Sequence, residues 1–346
     1  MGETLLSSVR AQETAKQTLE RALQNQRVHH AYLFTGPPGV GKELAAFGLA
    51  QALVCEKRGA SDQGGLFGGG GTPPSFVACG ACSACVRAVP RDEEQRPIHP
   101  DIVVIERGLY PPQAIGRRTP ETQDISIDQV RTLVLARAAF APHEGKAKVI
   151  IVRRAEELSI SAANALLKTL EEPSAKTHFV LLTAQPDALL PTILSRTLRV
   201  RFAPLPDDVV EALLTARGID AKRAAEVARL SGGSVEVAAM MADPEESDAR
   251  EGFVDEALRA VEAPAVDVLL AVAEEAKKDK DRLPGRIAAL ASALAERSMR
   301  AAAEGKPEAE ALALRGRFAL GALEYLAGNG APQLVVEAML VRMRTV

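Results

Sequence analysis

Short apolar runs alternate with longer segments of helical periodicity through the first 205 residues. The runs lie at residues 32–34, 102–105, 148–152, 178–183 and 198–202. Most of them are apolar or β-branched without alternation, which is typical of strands covered on both faces, as in a parallel sheet. The last run alternates apolar and basic residues, as expected of a half-buried final strand. Because helical segments separate the runs, the pattern predicts a largely parallel α/β domain.

The strand pattern stops after Pro204. Residues 205–248 predict short helices, and residues 249–346 predict longer helices rich in alanine and leucine, with interruptions at prolines and glycines. A chain of 346 residues is long enough for two or three domains. The sequence therefore predicts an α/β domain over 1–204, a small helical domain over 205–248 and an all-α domain over 249–346.

The amino-acid composition limits the kinds of molecule that this chain is expected to bind. The chain is 47% hydrophobic and 25% charged with a net charge of −3, which describes a globular protein without a global basic field for nucleic acid. It has no Trp and only 3% aromatic residues, so stacking of single-stranded bases is not expected to be a main binding mode. We find no run of about 18 apolar residues and no secretory signal pattern. The cytoplasm is the expected location, and no membrane partner is expected.

A glycine-rich segment joins the first predicted strand to a helical segment. It carries Gly36, Gly39, Gly41 and Lys42 at the spacing of a phosphate-binding loop. In such a loop the backbone N–H groups surround a phosphate, the helix N-terminus adds positive potential and the lysine adds a full charge. The motif normally continues with Ser or Thr, whose hydroxyl binds Mg²⁺, whereas this chain has Glu43. The alternative is a glycine-rich turn with no ligand.

A second departure from the ATPase motif follows the strand predicted at residues 148–152. In phosphate-loop ATPases a strand of this character ends in acidic residues that hold Mg²⁺, but here Arg153 and Arg154 follow it. The nearest carboxylates, Glu156 and Glu157, are expected on the next turn. Unsuitable side chains at both magnesium-handling positions predict a site that does not hydrolyse ATP, and they leave binding of ATP or ADP open.

Four cysteines provide the donor set of a metal site. Cys79, Cys82 and Cys85 form two overlapping C-x-x-C knuckles, and Cys55 adds a fourth thiolate. Four thiolates are the complement of a closed, tetrahedral structural Zn²⁺ site. The alternatives are a redox C-x-x-C pair, metal-free buried cysteines, or His99 in place of one thiolate.

Taken together, these residues resemble a known family, the AAA+ subunits of the bacterial clamp loader, and most of all its delta-prime branch. The likeness runs through residues 29–34, the phosphate loop, the cysteine knuckles, residues 164–173 and the pair Ser195 and Arg196. These motifs stand in the family's order and cover roughly the first 205 residues. The resemblance implies an AAA+ P-loop domain with a zinc module inserted at about 55–85. A helical lid domain and a helical collar domain for oligomerisation would follow.

The resemblance also implies a function. Members of the family work in a hetero-pentameric ring of gamma or tau, delta and delta-prime subunits, which opens the sliding clamp and places it on primer–template DNA. A delta-prime-like chain would be a stator in that ring, without ATPase activity of its own. Arg196, beside Ser195, is implied to be an arginine finger that reaches the γ-phosphate in the neighbouring subunit, although Thr197 stands where the family motif has Cys. The alternative for Arg196 is an ordinary surface arginine.

Three other functions stay open at this point. An active ATPase of the gamma/tau type would need the two magnesium-handling side chains that this chain lacks. A subunit that binds nucleotide without hydrolysing it is compatible with the glycines and the lysine of the loop. A polymerase active site would need a group of metal-binding carboxylates, and no motif supplies one. DNA-directed DNA polymerase (nucleotidyltransferase) activity is therefore expected only of a whole holoenzyme.

Overall fold

The computed structural model describes residues 4–59, 77–91, 96–119, 124–144, 146–174, 176–278, 282–327 and 330–346. The chain divides into two compact units, Met1–Ala239 and Met240–Val346. The segment 59–75 is rich in glycine, which predicts a mobile surface loop, but all of it except its first residue lies outside the described residues. The three-part division predicted with boundaries at 204 and 248 stays a prediction.

A five-stranded sheet forms the centre of the first unit. Its strands are β1 Ala31–Thr35, β2 Ile102–Ile105, β3 Lys148–Val152, β4 Thr177–Thr183 and β5 Leu198–Arg201. They lie in the order β2-β3-β4-β1-β5, and each pairing is parallel. Every residue of β1, β2 and β3 is buried, whereas β5, at the edge, buries only Val200. The predicted parallel α/β fold is confirmed.

Helices connect these strands. The α-helices of the first unit are α1 Glu13–Gln24, α2 Lys42–Val54, α3 Ser83–Arg87, α4 Ile127–Gln129, α5 Ala136–Ala138, α6 Ile160–Glu171, α7 Pro191–Leu194, α8 Asp207–Thr215 and α9 Ala221–Leu230. A π-helical segment, Val130–Leu135, joins α4 to α5, and 3₁₀ turns lie at Pro112–Ile115, Ala155–Glu157 and Pro186–Ala188. Helix α10, Val235–Ala242, contains the division between the two units. The core of the first unit joins residues of β1 to β4 with residues of the π-helical segment and α6.

Helix α2 is buried along most of its length. From Ala45 to Val54 every residue is buried, so the helix has no polar face on this stretch. Gly48 lies against the N-terminal segment, since a Cβ there would come within 2.5 Å of the backbone N of Leu6. This packing fixes the first turn of α2 at the end of β1, where the glycine loop lies.

The second unit is helical. Its helices after α10 are α11 Pro244–Glu262, α12 Val266–Ala276, α13 Leu283–Ala303, α14 Glu308–Ala327 and α15 Pro332–Arg344. They contribute apolar residues to a shared core, including the fully buried Leu269, Ile287, Leu290, Leu294 and Val336. The predicted helical C-terminal region is confirmed. Within the described part of the chain, no helix combines the length and the apolar character needed to cross a lipid bilayer.

Candidate functional site

The carboxyl ends of all five strands lie at one edge of the sheet, because the strands are parallel. In open α/β sheets, ligands bind outside this edge, in crevices formed by the loops that follow the strands. Here the glycine loop follows β1, Glu106 follows β2, Arg153 follows β3, and Thr183 ends β4. The fold therefore brings the predicted phosphate loop and the predicted magnesium-handling positions to the same place.

The conformation of the loop requires glycine at Gly36, Gly39 and Gly41, because a side chain there would clash with neighbouring atoms or strain the backbone. A Cβ at Gly36 would lie 2.3 Å from the carbonyl oxygen of Phe202, and one at Gly39 would lie 2.4 Å from the backbone N of Glu236. Gly39 and Gly41 have φ angles of +67° and +94°, which L side chains rarely adopt. Gly41 is the N-cap of α2, so the loop leads directly into the helix N-terminus. The backbone arrangement of a phosphate loop is present.

Lys42 is the first residue of α2, and its ammonium lies inside the loop. It donates hydrogen bonds to the carbonyl oxygens of Gly36 and Pro37. Burial lowers the pKa of Lys42, and the negative charges of Glu156 and Glu236 oppose that shift. The lysine predicted to meet a phosphate therefore has partners within its own loop.

Glu43 and Arg153, the two departures from the ATPase motif, form an ion pair with each other. Arg153 Nη2 donates to Glu43 Oε1, and Arg153 Nη1 donates to Glu106 Oε2 at 2.9 Å. The guanidinium also lies 5.7 Å from the ring centroid of Phe47, within the range of cation–π attraction. Only 5% of the Arg153 side chain is exposed, against 49% of that of Glu43. The two substitutions are thus structural partners, which the sequence did not predict.

A cleft of about 990 Å³ opens at this edge of the sheet. Its apolar lining includes Val9, Leu205, Leu213, Val235 and Ala239. Its charged lining consists of the cations Arg10, Lys42, Arg153, Arg154 and Arg217 and the anions Glu43, Glu106, Glu156 and Glu236. The charges are mixed, so the cleft does not present a uniformly positive surface to a phosphate chain.

A magnesium-bound nucleotide does not fit these residues. Mg²⁺ takes oxygen ligands and is usually held through one or two carboxylates together with substrate phosphates. Here the Arg153 guanidinium bonds the carboxylates of both Glu43 and Glu106. The triphosphate would also meet the other carboxylates that line the cleft. The loop keeps the shape of a phosphate site, while the surrounding side chains do not provide magnesium coordination.

Sequence reasoning missed two contributors to this site. Glu106 follows a buried strand, which is a recognisable signal, but the contact with Arg153 depends on β2 and β3 being neighbours. Gln12 is 4% exposed and donates through Nε2 to the carbonyl oxygens of Ala203 at 2.7 Å and Val40 at 3.4 Å. Its Oε1 accepts a hydrogen bond from the backbone N of Ala203 at 3.0 Å. A single glutamine before a helix gives no sequence signal for these three hydrogen bonds.

Arg196 lies in the turn between α7 and β5 and is not among the residues that line the cleft. Its Nε donates to Glu171 Oε1 at 2.7 Å, and its Nη1 donates to the carbonyl oxygen of Thr192 at 2.9 Å. Nη1 also donates to Ser195 Oγ at 3.1 Å, and the Arg196 side chain is 32% exposed. The guanidinium therefore has a defined orientation outside the chain's own cleft.

The four cysteines lie together. Cys55 follows the last residue of α2, Cys82 is the N-cap of α3, and Cys85 lies within α3. The sulfur atoms of these three cysteines and that of Cys79 all lie within 4.8 Å of one another. The Sγ–Sγ distances are 4.0 Å for Cys55–Cys82 and 3.9 Å for Cys79–Cys85. A tetrahedron with Zn–S bonds of about 2.3 Å has edges of roughly 3.8 Å. This donor set can hold a tetrahedral metal ion.

Backbone N–H groups donate to two of the knuckle sulfur atoms. The N–H of Cys82 donates to Cys79 Sγ at 3.3 Å, and the N–H of Cys85 donates to Cys82 Sγ at 3.4 Å. Burial opposes ionisation of Cys79, but hydrogen bonds from Ala81 and Cys82 outweigh it and lower the pKa of Cys79 to about 6. Burial raises the pKa of Cys85, and a bound cation would reverse that shift because a coordinating thiol is deprotonated.

His99, the alternative metal ligand, is engaged elsewhere. Its Nε2 lies 3.1 Å from Glu144 Oε2, and its Nδ1 accepts a hydrogen bond from the backbone N of Asp101 at 3.1 Å. Glu144 also accepts two hydrogen bonds from Arg87, at 2.6 and 2.8 Å. These contacts attach α3 to the segment that precedes β2, and His99 lies outside the sulfur group.

Comparison with known proteins gives an independent view of the first unit. A family model described as DNA polymerase III, delta subunit, matches residues 11–206. The DNA polymerase III subunit delta' of Pseudomonas aeruginosa is 36% identical over 208 residues, which are 59% of this chain and 53% of that protein. The subunit delta' of Bacillus subtilis is 28% identical over 232 residues, which are 67% of this chain and 60% of that protein.

Gamma/tau subunits are similar as well. The DNA polymerase III subunit gamma/tau of Mycobacterium tuberculosis is 33% identical over 208 residues, which are 60% of this chain and 30% of that protein. The matched segments therefore span 30% to 60% of the length of these relatives. The resemblance predicted from the motifs of the α/β region is confirmed.

Proposed function

The chain belongs to the family described as DNA polymerase III, delta subunit, and on that premise we propose that it is a delta-prime-type stator of a clamp loader. In this proposal it joins gamma or tau and delta subunits in a hetero-pentameric ring in the cytoplasm. The ring opens a sliding clamp and loads it onto primer–template DNA. The delta' relatives support the assignment, and any DNA-directed DNA polymerase activity belongs to the holoenzyme.

The ion pair between Glu43 and Arg153 is the observation that carries this proposal. Hydrolysis in phosphate-loop enzymes depends on Mg²⁺ held by a hydroxyl after the lysine and by an acid after the third strand. Here a carboxylate and a guanidinium take those positions and bind each other. The chain is therefore proposed to lack ATPase activity of its own.

The second candidate is an ATPase of the gamma/tau type, which the 33% identical gamma/tau relatives favour. An ATPase assay on the purified full chain, with and without Mg²⁺, separates the two candidates. The proposal expects wild type and the Lys42→Ala variant to give the same background rate. A magnesium-dependent rate that Lys42→Ala removes would contradict the stator and support the ATPase.

We also propose that Arg196 acts in trans on the nucleotide of the adjoining ATPase subunit. Glu171 and Thr192 orient the guanidinium outside its own cleft, and a carboxylate partner can be exchanged for a phosphate of similar fork geometry. Ser195 supports that orientation through its hydroxyl. In other phosphoryl-transfer systems an arginine finger contributes about 10³–10⁵ in rate.

Finally, we propose that Cys55, Cys79, Cys82 and Cys85 hold a structural Zn²⁺. A closed set of four thiolates leaves no open position for catalysis, so the metal would fasten α3 to the end of α2. Metal analysis of the purified chain should give one zinc per molecule. Cys82→Ser should lose that zinc, whereas Ser83→Ala at the next position should retain it. A chain purified under reducing, zinc-replete conditions without stoichiometric zinc would contradict the proposal.

A further inference from the structure

We propose that Arg153 is a built-in cation that takes over the structural role of magnesium in this cleft. The chain of contacts Glu43–Arg153–Glu106 joins the first turn of α2 to the ends of β2 and β3. The glycine loop is then held by the protein itself and does not depend on a metal nucleotide. This inference rests on the proposed non-hydrolysing site and adds what fills that site.

The position of Arg153 is fixed by several contacts. Its backbone N donates to the carbonyl oxygen of Ile105 at 2.9 Å, which continues the β2–β3 pairing by one residue. Its side chain is only 5% exposed, and its guanidinium lies over the ring of Phe47. A buried charge is tolerated when it is paired and hydrogen-bonded, and the carboxylates of Glu43 and Glu106 meet that requirement. Arg153 is therefore a structural member of the cleft.

The charge balance explains why a metal nucleotide is excluded. Without Arg153, the carboxylates of Glu43 and Glu106 would face the same space and form a potential cation site. With Arg153 in place, its guanidinium occupies that space and is hydrogen-bonded to one oxygen of each carboxylate, so a magnesium ion would meet a positive charge where it needs oxygen ligands. Lys42 is likewise bonded to the carbonyl oxygens of Gly36 and Pro37. The two cations beside the loop, Lys42 and Arg153, are thus both hydrogen-bonded to groups of the protein itself.

The contacts of Arg153 with Glu43 and Glu106 are therefore expected to exclude a magnesium-bound nucleotide and to stabilise the glycine loop at the same time. A phosphate chain would have to displace these internal contacts while also meeting Glu156 and Glu236 in the cleft. In an ATPase, the loop is completed by its ligand. In this chain the loop is completed by Glu43, Arg153 and Glu106, so its conformation is expected to be the same with and without nucleotide.

Restoring the metal-handling residues tests the exclusion. The full chain is titrated with a fluorescent ATP analogue in excess Mg²⁺ and again in EDTA, for wild type, Glu43→Thr, Arg153→Asp and the double variant. Wild type and Glu43→Thr, which both keep Arg153, are expected to bind weakly and with no magnesium dependence. Arg153→Asp is expected to gain magnesium dependence but to bind more weakly than the double variant, because Glu43 still faces the triphosphate. The double variant is expected to bind about tenfold more tightly with Mg²⁺ than without it. Magnesium-dependent binding by wild type, or none by the folded double variant, would overturn the inference.

Thermal melting tests the stabilising role and covers the case in which a variant folds poorly. Glu43→Gln and Arg153→Gln are each expected to lower the melting temperature of the full chain. The double variant should lose less than the sum of the two, because each single variant removes the same contact. Arg154→Gln, at the next and 54% exposed residue, is the control. Additive losses, or a wild-type melting temperature raised by magnesium ATP, would overturn the inference.

These measurements separate the inference from the proposed function. They use the isolated chain and report nucleotide binding and melting, while the stator assignment is tested by hydrolysis. If the chain does not hydrolyse ATP but binds it with magnesium dependence, the built-in cation is wrong and the stator stands. If the chain hydrolyses ATP with magnesium dependence, both are wrong.

Discussion

Two arginines of this chain are each paired with a glutamate, and their surroundings give them opposite roles. Arg153 is buried to 5% exposure and bonds two carboxylates, Glu43 and Glu106. Arg196 is 32% exposed and bonds Glu171, which is 47% exposed. Removing one partner of a buried pair leaves an uncompensated charge inside the protein. An exposed pair gains little, because water and salt screen both charges.

The difference in burial favours Arg196 over Arg153 as a partner for another molecule. The two partners of Arg153 hold its buried guanidinium inside the cleft, and exchanging them for a ligand would leave the carboxylates of Glu43 and Glu106 facing each other without a shared cation. The partner of Arg196 can be exchanged at small cost, since both members of that pair already contact solvent. The cleft therefore supplies structure, and the surface turn supplies the proposed chemical contribution.

Replacing Arg153 is expected to have the largest effect on the stability of the chain. Arg153→Met should lower the free energy of unfolding by about 1.5–3 kcal/mol, because it leaves Glu43 and Glu106, which are 49% and 23% exposed, without their shared cation. Arg196→Met should lower it by about 1 kcal/mol or less. Denaturant unfolding followed by circular dichroism measures both. Equal losses for the two variants would remove the distinction between them.

A smaller effect is expected from the partner of Arg196. Glu171→Gln keeps a hydrogen-bond acceptor for the guanidinium and removes only the charge, so the unfolding free energy should change by about 1 kcal/mol or less. The ATPase rate of the assembled loader should change only a few-fold. Glu172→Gln, at the next residue, is the matched control. A loss as large as that for Arg196→Ala would show that Glu171 is as necessary as Arg196, which contradicts the view of Glu171 as an exchangeable partner.

The smallest expected effect is in the salt dependence of the two pairs. Double-mutant cycles give a coupling energy for Glu171 with Arg196 and another for Glu43 with Arg153. The exposed coupling should fall from about 0.2–1 kcal/mol at low salt to near zero at about 1 M salt, where the screening length is about 3 Å. The coupling of Glu43 with Arg153 should fall by a smaller fraction, because the Arg153 side chain is only 5% exposed and is screened less by salt. Loss of both couplings together would contradict the difference in burial.

Much of the fold could be predicted from the sequence, because its signals are local. Four of the five apolar runs became buried parallel strands, and the alternating fifth became the edge strand β5. The glycines of the loop carry their own conformational requirement. The knuckle cysteines are spaced closely enough for the start of α3 and the turn before it to bring their sulfur atoms together.

The contacts that define the site are not local, and sequence reasoning missed them. Glu106 and Arg153 are separated by 47 positions and meet because β2 and β3 are neighbours in the sheet. Glu43 and Arg153 are separated by 110 positions. The sequence therefore predicted two unsuitable residues at the magnesium positions but not their contact. The pairing of Arg196 with Glu171, over 25 positions, escaped prediction for the same reason.

The rate of ATP hydrolysis by a reconstituted loader tests whether Arg196 acts in trans on the nucleotide of an adjoining ATPase subunit, as proposed. With Arg196→Ala, that rate is predicted to fall by about 10³-fold while ring assembly is unchanged. Arg196→Lys should not restore it, since an ammonium lacks the two-pronged geometry of the guanidinium. Arg201→Ala, an exposed arginine of β5, is the control and should leave the rate unchanged. A normal rate with Arg196→Ala in an intact ring would contradict the claim that the chain's chemical contribution lies at this surface turn.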